Sequence, residues 1–566
     1  YATVILNGTN YGRHPSGRVT LTIDVTDAVK PGSENRLIVK VEHPALITDM
    51  PWVCGGCSSE WGFSEGSQPF GIFRPVVLEI TNAVRIEPFG VHLWNDENAD
   101  KVFIETEVKN YSKSDETIKL ISSFNDKAGR AVFRLAEEVI LKSGQVRIIS
   151  QLISIENPNQ WSIDDPYLYT LDSSIIRGDK KMDEVSTRFG IRTISWPITR
   201  KNGDNRFLLN GKPVFINGTC EYEHLLGQSH AFTHEQIRSR VKQIKAAGFN
   251  AFRDAHQPHN LLYQELWDET GTLFWTQFSA HIWYDTDTFR EQFTKLLRQW
   301  IKERRNSPSV VMWGLQNESV LPKAFAEECC AIIREMDPTT FGQRIITTCN
   351  GGRGTDWNVV QNWSGTYAGD PYKYHEDLSH PDQLLNGEYG AWRSIELHSE
   401  GPFDQNGILS EDRMTQLMEM KVRLGESVKD HACGQFQWLF NSHDNPGRQQ
   451  PDEGYRVIDK IGPFNNKGLV TIWEEPLDVY YMYRANYVPA KKDPMVYIVS
   501  HTWPDRFSSA CKATLNVYSN CEEVELFNDV GGFESLGKRR RDGIGTHFVW
   551  NETDVRYNVL YARGYC

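Results

Sequence analysis

Two acidic residues stand where strand-end chemistry could use them. Glu318 follows the apolar run 309–316 in Trp313-Gly-Leu-Gln-Asn-Glu318-Ser319, and Glu388 closes the run 384–388 in Asn386-Gly-Glu388-Tyr-Gly-Ala-Trp392. A pair of carboxyl groups roughly 5–5.5 Å apart can cleave a glycosidic bond with retention: one attacks the anomeric carbon while the other protonates the leaving oxygen. The donor must be kept neutral until the nucleophile's charge is consumed, which asks for two different environments. Spacing alone leaves open that both are surface loop acids.

Such a pair needs a frame that brings two strand ends to one rim. From Thr233-His-Glu-Gln236, which reads as a capping box, Ile237, Val241 and Ile244 recur at helical spacing, and Gly248 closes the helix. Strands are expected at 213–220, 249–253, 273–278, 309–316, 344–349, 358–363, 384–388 and 433–440, with helices between them. The clearest helix carries Phe289, Phe293, Leu296, Leu297, Trp300 and Ile301. Eight strands alternating with helices point to a (β/α)8 TIM barrel, whose catalytic groups sit at the carboxyl ends of its strands. Ahead of it the texture is all β. Val4, Leu6, an Asn7-Gly8 turn, then Val19, Leu21, Ile23 and Leu37, Val39, Val41 alternate, and Val102, Ile104, Thr106, Val108 do so again. After about 491 strands return without helices. The expected organisation is a partial sugar-binding-like jelly-roll sandwich at 1–85, an immunoglobulin-like sandwich at 86–188, the catalytic barrel at 189–490 and a closing immunoglobulin-like sandwich at 491–566. Tyr1 begins in mid-pattern, so an earlier segment is expected, and with it the periplasmic or secreted address that no visible signal region encodes.

The 566 residues exceed one ordinary core. A net charge of −13 argues against nucleic acid and anionic membranes as partners, since phosphate binding wants a basic face. The run Lys538, Arg539, Arg540, Arg541 reads as a solvated turn. No apolar run is long enough to span a bilayer. Seventeen tryptophans suit stacking on sugar rings but also suit cores. Ten cysteines form no metal pattern: Cys54-Gly-Gly-Cys57 lacks a second pair and Cys329-Cys330 are adjacent, so structural or incidental thiols are expected, with no metal and no cofactor.

The wording around the acids adds a resemblance to glycoside hydrolase family 2 that runs the length of the chain. Gly71-Ile-Phe-Arg-Pro75 resembles the closing strand of that family's first sandwich, Phe189-Gly-Ile-Arg192 its entry to the barrel, and Leu209-Asn-Gly-Lys-Pro-Val214 its first barrel strand. Asn250-Ala-Phe-Arg253 with Ala255-His-Gln-Pro258 resembles its Arg and His-x-Pro segment, and Asn465-Asn-Lys-Gly-Leu-Val470 its exit from strand 8. The resemblance implies a retaining exo-β-glycosidase with Glu318 as acid/base and Glu388 as nucleophile. It further implies that Asn317 bonds the sugar 2-hydroxyl, Arg253 holds the nucleophile ionised, His256 and Glu223 line the terminal-sugar pocket, and Trp438 floors it.

Departures blur the sugar. Trp363 stands where the family commonly has a tyrosine donating to the nucleophile, with Tyr367 four residues on as the substitute; Tyr222 replaces a histidine; the third strand ends in Gln277-Phe278-Ser279 without an acid. Asn465-x-Lys467-Gly468 resembles a motif by which glucuronidases hold a substrate carboxylate, yet Ile461 stands where their accompanying arginine would be. Cys54-Gly-Gly-Cys57, Gln437-Trp438 with His443-Asp-Asn-Pro446, and the C-terminal module look most like β-galactosidases acting on plant or algal galactans. That specificity, on oligosaccharide substrates, is the expectation; a β-glucuronidase is the alternative, and a carbohydrate-binding protein on an inactive barrel is the alternative of another class. A homo-oligomer assembled through the sandwiches is compatible with either. Tyr222, Glu223, His224 on one loop and His281, Trp283, Tyr284 on another are expected to wall off a single terminal ring.

Overall fold

A computed structural model of the chain describes residues 1–15, 17–42, 49–50, 71–200, 203–228, 230–280, 285–392, 394, 398, 403, 409–444, 464–499, 511–555 and 559–566. Cys54, Cys57, His281, Trp283, Tyr284, Pro446 and Ile461 lie outside the described residues.

Eight parallel strands close into a TIM barrel: β1 (Ile216–Glu221), β2 (Ala251–Asp254), β3 (Leu273–Gln277), β4 (Val310–Asn317), β5 (Ile345–Cys349), β6 (Trp357–Asn362), β7 (Leu385–Gly390) and β8 (Gly434–Trp438). Each answers one of the eight runs read from the sequence. Val310–Asn317 is buried at every position, and a strand so placed carries near-continuous apolar character without alternation. Between them run α1 (His234–Ala246), α2 (Leu261–Thr270), α3 (Asp287–Arg304), α4 (Lys323–Met336), α5 (Tyr374–Leu378) and α6 (Glu411–Ser427), with α7 (Asp478–Tyr487) after β8. The capping box forms reciprocally: Gln236 N donates to Thr233 Oγ1 at 3.2 Å and Thr233 N to Gln236 Oε1 at 2.8 Å. Gly248 adopts φ +93°, the left-handed turn that ends α1. All six apolar residues read onto α3 are buried.

By their contacts the described residues form two compact units, 1–214 with 228–237 and 252–359, and 215–227 with 238–251 and 360–566. In the first, strands Ala2–Leu6, Thr9–His14 and Leu37–Val41 make a three-stranded sheet whose Asn7-Gly8 turn has φ +51° and +90°, the values a two-residue hairpin of that sequence requires. Val19–Ile23 is not a strand as expected. Its neighbourhood bonds side chains instead of a ladder: Thr20 N donates to Glu303 Oε2 at 3.0 Å and Arg18 lies 3.0 Å from His230 Nε2. Gly71–Pro75 likewise joins no ladder; Phe73 packs 6.1 Å from the His230 ring. The next sandwich pairs a sheet of Val84–Asn95, Lys101–Asn110 and Val146–Ser154 with one of Lys180–Phe189, Tyr169–Arg177, Glu116–Asn125 and Ala131–Leu141. Alternate residues such as Val102, Ile104 and Val108 fill the core between them.

Leu209–Val214 is a correction. Leu208–Leu209 and Lys212–Pro213 form a hairpin around Asn210-Gly211, both at positive φ, so the segment precedes β1 and does not belong to it. Arg192 is buried next to this hairpin's partner strand and donates to the carbonyls of Pro308 and Val310 at 3.0 Å each, with its guanidinium pushed down to about 9 by burial.

In the second unit, Val496–Ile498, Cys511–Ser519 and Phe548–Val555 face Ser535–Arg540, Glu523–Phe527 and Tyr561–Tyr565 around Leu515, Val517, Val524, Leu526 and Trp550. The basic run is strand, not turn, up to Arg540, and Arg541 donates to Ala485 O at 2.9 Å. Against the expectation of structural or incidental thiols, Cys521 and Cys566 form a disulfide; Cys220, Cys329, Cys330, Cys349 and Cys433 are buried and in no disulfide. Seven tryptophans, Trp161 to Trp550, are among the most completely buried side chains, so much of the tryptophan content is core. Among the described residues no helix is long and apolar enough to cross a membrane.

Candidate active site

In the first unit the carboxyl ends of β2, β3 and β4 build one polar cluster. Arg253 is fully buried at the end of β2, its guanidinium 4.5 Å from the Trp275 ring centroid. Its Nη2 donates to Gln277 Oε1 at 3.0 Å and Asn317 Oδ1 at 2.7 Å, and lies 3.2 Å from His256 Nδ1. Beside it, Asp254 is held well above the usual carboxylate range by burial, while accepting from Gln277 N at 2.5 Å. The adjacency of Arg253 and Asp254 was the one sequence signal for that acid.

Glu318 is the first residue past β4. Its N–H donates to Cys349 O at 3.0 Å on β5, which continues the ladder, yet its φ is +43°. A non-glycine residue in the left-handed region costs of the order of 1 kcal/mol or more and clusters at functional sites. The turn leaves Glu318 half-buried directly after the fully buried Asn317.

In the second unit Glu388 lies within β7, 3% exposed, its N–H donating to Asn386 Oδ1 at 3.2 Å. Glu223, 1% exposed, follows β1. Trp438 ends β8, with the Tyr222 ring at 90° to it and 5.3 Å away. Lys467, 4% exposed, holds its ammonium 5.5 Å from the Trp438 ring centroid. Trp363 and Tyr367 follow β6, half-buried and 5.6 Å apart, with Trp363 Nε1 donating to Gln361 Oε1 at 3.1 Å. Gly468 can be nothing larger: a Cβ there would meet Ser442 N at 2.1 Å.

Within each unit, then, the residues read from the sequence gather at strand ends: Arg253, His256, Asn317 and Glu318 in one, Tyr222, Trp438 and Lys467 in the other, with Glu223, Trp363, Tyr367 and Glu388 on or after strands of the same unit. Sequence reading missed Asp254, Gln277 as a partner of Arg253, and the Asn386 contact. A side-chain acceptor for a strand amide leaves no periodic trace.

Residues 84–192 match the family described as glycosyl hydrolases family 2, residues 201–372 match that family's TIM barrel domain, and residues 512–566 match a domain of unknown function, DUF4982. A β-glucuronidase of Bacteroides fragilis is 27% identical over 98% of this chain and 79% of its own length. A β-galactosidase of Bacteroides ovatus is 29% identical, over 56% of this chain and 36% of its own length. The chain spans 66%, 79% and 53% of three curated relatives that it matches over nearly its whole length. The crystal structure of a Bacteroides uniformis β-glucuronidase superposes with a TM-score of 0.81 at 23% identity, over all of this chain and 69% of that one.

Proposed function

The chain belongs to glycosyl hydrolases family 2, and from that premise we propose that it is a retaining exo-β-glycosidase in which Glu318 is the acid/base and Glu388 the nucleophile. The reading rests on the strand positions. Glu318 follows β4 and Glu388 sits in β7, and catalytic groups of this fold come from carboxyl strand ends. In the first step Glu388 attacks the anomeric carbon as Glu318 gives its proton to the leaving oxygen; in the second, Glu318 takes a proton from water that displaces Glu388. Asn317 supplies a hydrogen bond to the 2-hydroxyl, and Arg253 fixes that amide.

For the sugar we propose a β-glucuronide. This revises the galactan expectation, because the B. fragilis relative, matched over 98% of the chain, is named a β-glucuronidase while the B. ovatus β-galactosidase matches 56%. Lys467 carries the chemical side of the reading. An ammonium buried beside the strand-8 tryptophan suits a uronate carboxylate, since a charge-assisted contact in a dry site discriminates strongly. A β-galactoside is the second reading, supported by a β-galactosidase of Thermoanaerobacter pseudethanolicus, 25% identical over 93% of this chain.

Hydrolysis of aryl β-glucuronide and β-galactoside, followed by product analysis on a defined oligosaccharide, tests both parts. Hydrolysis of neither, nor of the aryl β-mannoside and β-glucoside, would favour an inactive barrel that binds carbohydrate. Early di- or tetrasaccharides without monosaccharide would replace the exo reading with an open cleft.

A further inference from the structure

The register of β7 contains one residue too many. On one side Val360 pairs with Asn386 and the next residue, Gln361, pairs with Glu388; on the other, Gln435 pairs with Asn386 while Gln437 pairs with Tyr389. An extra residue therefore sits between Asn386 and Tyr389 against both neighbours, a bulge in a parallel strand, where bulges are rare. Its effect is visible in the side chains. Asn386 and Tyr389 are three apart and would face opposite ways in a regular strand. Instead both meet Tyr374 of α5: Asn386 Nδ2 donates to Tyr374 Oη at 2.9 Å, and the Tyr389 and Tyr374 rings are 5.8 Å apart. With both of these residues turned to the helix, Glu388 between them falls on the other face of β7.

We infer that Asn386, held by Tyr374, is a positioning residue for Glu388, setting the bulge that turns the carboxylate away from α5; this rests on the nucleophile reading of Glu388. Asn386 spends both ends of its amide on the task. Oδ1 accepts from Glu388 N at 3.2 Å, closing the bulge, and Nδ2 donates to Tyr374. The Tyr374 hydroxyl in turn donates to Gln435 Oε1 on β8 at 2.8 Å, so the clamp is tied to the neighbouring strand. Behind the Tyr374 ring, 4.6 Å from its centroid, lies the Lys421 ammonium, which donates to Asn362 O at 3.3 Å at the end of β6. Asn386, Tyr374, Gln435 and Lys421 are each 2% exposed or less. A buried network satisfied in this way holds one geometry, and a nucleophile misplaced by about 1 Å loses on the order of 10²-fold in rate.

Tyr374→Phe removes the single oxygen that accepts from Asn386 and donates to Gln435 while keeping the ring. The test uses the full chain and two activated probes, 2-deoxy-2-fluoro-β-D-glucuronyl fluoride and the corresponding galactosyl fluoride, with intact-mass and peptide-mass detection. Wild type should take one label, on Glu388. Tyr374→Phe should take one label on the same residue, with the saturation constant within about twofold and the limiting rate about 10- to 100-fold lower. A merely structural role would lower the fraction labelled and leave the rate within that fraction unchanged. Labelling of folded Tyr374→Phe at the wild-type rate overturns the inference and leaves the nucleophile reading standing. A label elsewhere, or none in wild type with either probe, overturns that reading and the inference with it. If Tyr374→Phe does not fold, Asn386→Ser puts the same question through the same rate.

Discussion

Arg253 Nη2 donates to Asn317 Oδ1 at 2.7 Å, and this fixes which way the asparagine amide faces. An arginine can only donate, so the carbonyl end must point to it and the NH2 end away. That Nδ2 is buried and has no partner among the described residues. A buried unsatisfied donor costs about 1–3 kcal/mol, which a substrate hydroxyl would remove. Asn317→Ala should therefore lower kcat/KM by about 10²–10³ on an aryl glycoside bearing the 2-hydroxyl. On the 2-deoxy analogue the variant and the wild type should turn over at nearly equal rates. An equal loss on both substrates would move Asn317 from substrate binding to support of the barrel.

The two acids should separate by leaving group. Glu388→Ala should abolish turnover of every substrate, with azide restoring part of it as a glycosyl azide of inverted configuration. Glu318→Ala should spare a dinitrophenyl glycoside, which needs no proton, far more than an alkyl glycoside. Equal losses on activated and unactivated substrates would contradict the assignment of roles.

Much of this arrangement was legible because the barrel writes itself in one dimension. Buried strands such as Val310–Asn317 are continuous apolar runs, and α3 shows its six core residues at helical spacing. Helix ends were legible where a cap is local, as at Thr233 and Gln236. The failures share a cause. Leu209–Val214 reads as strand until Asn210-Gly211 folds it into a hairpin. Val19–Ile23 alternates like a strand but its neighbourhood bonds to Glu303 and His230, far along the chain. The β7 bulge is a property of register against two other strands, and the Cys521–Cys566 bridge spans 45 residues. None of these leaves a periodic signal.

Lys421 should show in the pH dependence of stability. It is fully buried, its ammonium facing Asn362 O and the Tyr374 and Tyr389 rings, with Asp377 as the carboxylate that favours its charge. Burial pushes it down to about 7 from the ordinary 10.5. Between those values the unfolded chain holds a proton that the folded chain has released, so this residue makes stability rise with pH through the window, by about 1.4 kcal/mol per unit at most. Below about 7 the folded chain carries the buried charge and its cost levels off. Lys421→Met should accordingly gain on wild type in denaturant midpoint as pH falls from 10.5 to 7, and hold that gain below. A difference independent of pH would mean that the lysine keeps its ordinary affinity for the proton.

Lys467 offers the sharpest separation of the two sugars. Lys467 is 4% exposed, its ammonium lies beside Trp438, and a ligand that brings the opposite charge would gain most from it. A glucuronide presents a carboxylate at C5, whereas a galactoside presents a neutral hydroxymethyl group. If the substrate is a glucuronide, Lys467→Ala removes a charge-assisted contact of about 1.5–3 kcal/mol, or about 10- to 150-fold in kcat/KM. On the galactoside the same variant loses only the packing of the lysine stem against Trp438, a loss that Lys467→Met should largely recover. Lys467→Met should not recover the glucuronide, because it restores the stem without the charge. Steady-state kcat/KM for the wild type and both variants on the two aryl glycosides decides the matter. A loss on the galactoside as large as on the glucuronide, recovered by Met on both, would remove Lys467 from sugar selection and return the galactoside reading to first place.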